Sequence, residues 1–153
     1  MPVSLSRHFT LDEAFPQLKE LLAGRRVGVA VGVMADATNS LTGEKIAEYA
    51  IDNEYGSHAR NIPPRPFLRA TFDANTQMYA GGLAEGLAGG MDPELAMRSL
   101  GELIAGDVKD AISTWETPPN SPATIERKKG RNTPLRDTGA LMKSITYRVD
   151  VEK

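Results

Sequence analysis

Cysteine is absent from this chain, and histidine occurs only at positions 8 and 58. Without thiols there are no disulfides, thiolate metal sites or cysteine nucleophiles, which fits a reducing compartment. Long hydrophobic runs are also missing. No window approaches the ~18 uninterrupted apolar residues of a membrane span, and Arg7, His8, Asp12 and Glu13 break up the N-terminal stretch. Neither a signal peptide nor a membrane segment is expected, and the chain is expected in the cytoplasm. The net charge is only −2, which argues against nucleic-acid binding over the whole surface, so any basic face must be local. Residues arranged for chemistry are scarce. His58 lies four positions after Glu54 and six after Asp52, but one histidine in a loop is usually solvated rather than a ligand. Nothing fixes a base beside Ser57, Ser121 or Ser144. No metal, cofactor or catalytic group is expected.

What is present reads as one domain of 153 residues, 41% hydrophobic and 25% charged, long enough to bury roughly 68–70% of its extended surface. Thr10 and Glu13 have capping-box spacing, and apolar residues from Leu11 to Leu22 recur at helical intervals up to Gly24, with Pro16 a local kink. Val27, Val29, Val31 and Val33 alternate with Gly28, Ala30, Gly32 and Met34, predicting a strand whose bare face admits a closely packed helix. A polar loop, Asp36 to Gly43, precedes a short helix predicted over Glu44–Asn53. The stretch from Ala70 to Met91 is helical but interrupted by Gly81, Gly82, Gly86, Gly89 and Gly90. Each interior glycine costs ~1 kcal/mol relative to alanine, so close packing is needed, and Gly82-x-x-x-Gly86 suits contact with a neighbouring helix. A phosphate loop is disfavoured, because no Gly-Lys-Ser/Thr ending follows. Asp92-Pro93-Glu94 starts a long helix predicted to reach Trp115. A short helix, Ala140–Lys143, leads into an alternating strand, Ile145–Val151, which should pair with Val27–Met34 in a mainly antiparallel sheet covered by the long helix. The fold class is therefore α+β, with extended loop and arm segments.

Two stretches carry individual character. Between Asn53 and Arg69, Gly56 ends a helix and Pro63, Pro64 and Pro66 stiffen a rod holding Arg65, then Phe67 and Leu68. Two uses are open for this rod. Phe67 and Leu68 plug the chain's own core with Arg65 capping a helix end, or they anchor another chain. Between Thr117 and Arg136 there is almost no apolar content, and Arg127, Lys128, Lys129, Arg131 and Arg136 stand against the single acid Glu126. A structureless segment of this length is expected to be an arm that becomes ordered on a neighbouring subunit, since twenty extended residues reach at most ~66–72 Å. Nucleic-acid binding is the alternative of another class for this run. It lacks interleaved aromatics for base stacking, leaving salt-sensitive backbone contact.

The run Ile46-Ala47-Glu48-Tyr49 through Asn53-Glu54-Tyr55-Gly56, followed by Ile62-Pro63-Pro64-Arg65-Pro66-Phe67-Leu68-Arg69, resembles a pattern of small tail-completion or neck proteins of long-tailed bacteriophages and prophages. A second block is similar to the ending of the same proteins. It comprises Pro118-Pro119-Asn120-Ser121-Pro122-Ala123-Thr124-Ile125-Glu126-Arg127-Lys128, then Pro134-Leu135-x-Asp137-Thr138-Gly139-x-Leu141-x-x-Ser144-Ile145-x-Tyr147-x-Val149. The resemblance covers most of Ile46 to Val149, and the first ~40 residues carry none of it. It implies a structural virion protein that completes the tail and joins it to the head-closure complex, with the tail terminator capping the tail tube as the alternative. It further implies a ring of copies, six-fold or a multiple of it, around a channel through which DNA passes, with connector, terminator and tube proteins as partners. Such a protein is assembled in the bacterial cytoplasm and kept in the virion. The interface residues implied are Tyr55, Arg65, Phe67, Leu68, Arg69, Arg127, Lys128, Lys129, Arg131 and Arg136.

Overall fold

Eight residues with a valine at every second position, Arg26–Val33, form the central strand of a three-stranded sheet. The computed structural model describes residues 5–10 and 26–152. In it, β1 (Leu5–Thr10) pairs antiparallel with β2 (Arg26–Val33), and β2 pairs antiparallel with β3 (Ile145–Glu152). The predicted pairing of the two alternating runs therefore holds, with Val29 opposite Val149 and Val31 opposite Tyr147. Strand β1 was not foreseen. Its Leu-Ser-Arg-His-Phe-Thr run interrupts the apolar alternation with Arg7, and Thr10, expected to cap a helix, is the last residue of the strand. The helix expected from Leu11 to Leu22 lies outside the described residues.

Five helices follow β2: α1 (Ile46–Tyr55), α2 (Phe67–Ala88), α3 (Pro93–Thr114), α4 (Pro122–Arg127) and α5 (Ala140–Ser144). The long helix starts where its sequence says it should. Asp92 accepts hydrogen bonds from the amides of Glu94 and Leu95, and Pro93 occupies the first helical position. Helix α3 lies across β2 and β3 and pairs with α2. The architecture is α+β, an antiparallel sheet covered by a long helix. Among the described residues, no helix is long and apolar enough to cross a membrane.

The helix does not sit on the bare face of β2. It covers the valine face, and the missing side chain that permits this belongs to the helix itself. A Cβ built at Gly101 would lie 2.5 Å from the Tyr147 ring and 2.9 Å from a Val29 methyl. Gly32 is bare for another reason, since an added Cβ would run into the β1 backbone at Leu5 and Ser6. Val27, Val29, Val31 and Val33 join Met97, Ile104, Val108 and Ile112 in the core. On the far side of α3, Tyr79 of α2 is buried, with its ring edge on Phe72 and its hydroxyl donating to Asp107 Oδ2 at 2.6 Å. The expected helix contact through Gly82-x-x-x-Gly86 is absent among the described residues. Gly81 and Gly82 face open space, and Gly86 looks onto the Met91 side chain.

Two outcomes follow from this packing. Gly101→Ala is expected to lower stability by ~1–3 kcal/mol through overpacking. Gly81→Ala, with nothing within 4 Å of the added carbon, should raise it by ~0.5–1 kcal/mol. Thermal unfolding of both variants beside the wild type checks this, and shifts of the same sign would contradict it. Burial, reinforced by the hydrogen bond to Asp107, pushes the Tyr79 phenol well above its ordinary value of 10.0. The folded chain therefore holds this proton more tightly than the unfolded chain. The resulting stability is complete below pH 10.0 and is lost as pH rises above it. In alkaline denaturation series, Tyr79→Phe should fall less steeply than the wild type above that pH. Parallel curves would contradict the assignment.

Candidate functional site

Helix α1 ends at Tyr55, where Gly56 takes φ 79°, a left-handed conformation that suits glycine. This turn aims the last side chains of α1 at the start of α2. Glu54, with its side chain fully buried, accepts hydrogen bonds from the amides of Leu68 and Arg69, both at 2.9 Å, and from Arg69 Nε at 3.0 Å. The carboxylate thus serves the two orphan donors of the first turn of α2, where a negative charge is also favoured by the helix dipole. Pro66 precedes the helix and offers no side-chain cap, so the cap comes from the neighbouring helix. The Arg69 guanidinium extends outward to lie 4.7 Å above the ring of Tyr55, itself 56% exposed.

Arg65 turns the other way. Its Nε donates to the Pro118 carbonyl at 2.9 Å, Nη2 to the Pro119 carbonyl at 2.8 Å, and Nη1 to Asn53 Oδ1 at 3.3 Å. Three acceptors satisfy a cation that is 5% exposed, as a buried charge requires. Burial pulls the guanidinium below the ordinary arginine value, an effect the neighbouring Tyr49 opposes. In the first turn of α2, Phe67 and Leu68 are 0% and 1% exposed. Of the two uses open for the rod, these residues take the internal one. Arg65 also closes a helix end, its amide donating to the Asn53 carbonyl in the last turn of α1, while its guanidinium holds the chain at Pro118 and Pro119.

The segment 117–136 is not an arm extended from the domain. Ser121 accepts a hydrogen bond from the Thr124 amide and Pro122 stands at the first position of α4, a helix start overlooked in the polar run. Lys128 then points inward, 4% exposed, and its Nζ donates to the carbonyls of Thr133 and Arg136 at 2.9 and 2.8 Å. Burial lowers its ammonium from the ordinary value, while Asp137 pulls the other way. Leu135, buried beside it, is held at φ 64°, a conformation rare outside glycine. Arg136 donates to the carbonyls of Ser113 and Trp115 at the end of α3. The segment is thus folded onto its own domain, because cations that look free in the sequence find carbonyl acceptors within it. Arg127 pairs with Asp137 at 2.8 Å. Lys129 and Arg131 are exposed, so the basic surface is smaller than the run suggests, which weakens the nucleic-acid reading.

The interface residues implied by the resemblance therefore separate. Arg65, Phe67, Leu68 and Lys128 lie inside the fold, while Tyr55, Arg127, Lys129 and Arg131 reach the surface and Arg69 and Arg136 are half-buried. His58, Glu54 and Asp52 are not brought together as ligands. Glu54 is turned inward, and Asp52 pairs with Arg60 at 2.8 Å. Among the described residues, no group of three metal-ligating side chains converges.

The surface that remains has two poles. From 67 to 114, acids at 73, 85, 92, 94, 102, 107 and 110 outnumber Arg69, Arg98 and Lys109, for a net −4. From 117 to 143, with the buried Lys128 left out, Arg127, Lys129, Arg131, Arg136 and Lys143 outnumber Glu126 and Asp137, for a net +3. The chain matches no family model, no curated protein and no solved structure.

Glu54→Ala should cost ~1–3 kcal/mol for each amide left without an acceptor, measured by denaturant unfolding. Arg65→Ala should accelerate proteolytic cleavage within 117–136. Cleavage there at the wild-type rate would contradict the clamp.

Proposed function

We propose that this chain is a structural protein of the bacteriophage neck, completing the tail and joining it to the head-closure complex. The supporting observation is the bond between the two blocks that carry the resemblance. Arg65 of the first block holds the carbonyls of Pro118 and Pro119 of the second across more than fifty residues of sequence. The two stretches that resemble neck proteins thus form one unit, in which Leu135, Leu141 and Ile145 of the second block share a core with Phe67 and Leu68 of the first. The polar groups that stand out in the sequence, Asn53, Glu54, Arg65 and Lys128, are occupied by internal hydrogen bonds. That employment favours a scaffold over a catalyst. Surfaces of opposite charge on one small chain suit a unit repeated around a channel, since each copy offers what its neighbour lacks.

Removing the gene from the phage or prophage genome that carries it should yield filled heads and separate tails of normal length. Overlong tails would favour the terminator reading, because an uncapped tube keeps growing. Normal infectious particles would overturn the functional reading altogether.

A further inference from the structure

The first turns of α3 and the second half of α2 form a groove of about 220 Å³. Met78, Gly82, Gly86, Met91, Leu100 and Leu103 are among its lining. Met78 is 54% exposed, Leu103 47% and Met91 41%, and Leu95 on the adjoining turn is 53% exposed. One exposed leucine is ordinary, but four such side chains beside one groove form a patch of the kind that marks a contact surface. The helix weakens itself to keep this floor low. A glycine within a helix costs ~1 kcal/mol relative to alanine, yet a Cβ at Gly82 would meet nothing within 4 Å in its own chain. Exposed acids Glu85, Glu94 and Glu102 stand on the same two helices, with Arg98 engaged to Glu94 at 2.7 Å and Glu102 accepting from the Tyr147 hydroxyl at 3.1 Å, which leaves the Glu85 carboxylate without such a bond among the described residues.

The basic pole lies at the opposite end of α3, where Arg136 grips the carbonyls of Ser113 and Trp115. At 1.5 Å per residue, Leu95 and Leu103 are roughly 20–30 Å along the axis from Trp115. A chain folded in this way cannot lay its own basic edge in its own groove. We propose that a second copy of this chain fills it, with Lys129, Arg131 and Lys143 of one copy seated on the α2–α3 groove of the next. Long lysine and arginine stems cover apolar surface while their charged heads remain hydrated. Here they lie against Met78 and Leu103 and bring their cations to Glu85. The contact joins two different faces, so it is heterologous and repeats head to tail, closing into a ring where the rotation per copy allows. The proposal rests on the reading of the chain as a repeated unit and names the faces that join.

Sedimentation of the full chain at low salt should show species heavier than the monomer that grow with concentration and disappear at high salt. Leu103→Glu alone and the pair Lys129→Glu with Arg131→Glu should each yield monomer only. Mixing the two variants leaves one sound groove and one sound basic edge, and should give a one-to-one dimer and nothing larger. All three sites are exposed, so circular dichroism should show the fold retained. Where a variant loses its fold, Met78→Glu or Lys143→Glu replaces it. A wild-type chain that stays monomeric at low salt overturns the proposal. So does loss of association in Leu103→Glu with association retained in the Lys129→Glu, Arg131→Glu pair, which would indicate a symmetric groove-to-groove dimer, and so does failure of the mixture to pair. Separate heads and tails in the deletion strain would leave the neck reading standing after any of these failures.

Discussion

Glu54 is the acceptor on which the rest of the arrangement depends. A fully buried carboxylate is costly unless hydrogen bonds surround it, and three donors from the start of α2 do so. The bond fixes where α2 begins, and with it the placement of Phe67 and Leu68 in the core. The same short stretch carries Arg65 in the opposite direction, to carbonyls far along the chain. Asn53 links the two, because its Oδ1 accepts from Arg65 while its amide donates to the Tyr49 carbonyl within α1. The prolines around Arg65 reduce the backbone entropy that so exact a placement costs. What resembles an interaction motif in the sequence is thus an internal joint, and the groups free to meet partners lie elsewhere.

Period-2 and period-3.6 patterns carry across to the structure where one face alone is buried. The pairing of β2 with β3 and the span of α3 follow from alternation, the Asp92 cap and Pro93, all local features. Strand β1 did not announce itself, since Arg7 breaks its apolar alternation and its stability comes from pairing with β2. The face of β2 chosen by α3 was misjudged for a similar reason. The glycine that lets the two approach is Gly101, which sequence distance hides. The segment 117–136 shows the same limit most clearly. Its composition is that of a solvated arm, yet Lys128 and Arg136 meet carbonyls brought close only by the fold. Ser121-Pro122 was the one local sign of order.

In the candidate interface, residue type was a better guide than position. Basic and aromatic side chains do reach the surface, but five of the seven positively charged candidates, Arg65, Arg69, Lys128, Arg131 and Arg136, are tied to backbone carbonyls. The apolar counterpart, Met78 with Met91, Leu95 and Leu103, does not stand out in the sequence. Exposure cannot be told from apolar residue type, since Leu95 and Leu103 are exposed while Met97, Leu100 and Ile104 of the same helix are buried. The opposed charges of the α2–α3 pair and of the 117–143 segment are present in the sequence and acquire meaning once the length of α3 separates them.

Native-state hydrogen exchange at the amides of Leu68 and Arg69 tests the central role of Glu54 most directly. If the carboxylate holds the joint, both amides exchange only through global unfolding and share its free energy. Exchange of these two amides through a local opening, at a free energy well below that of the β2 amides, would contradict the account.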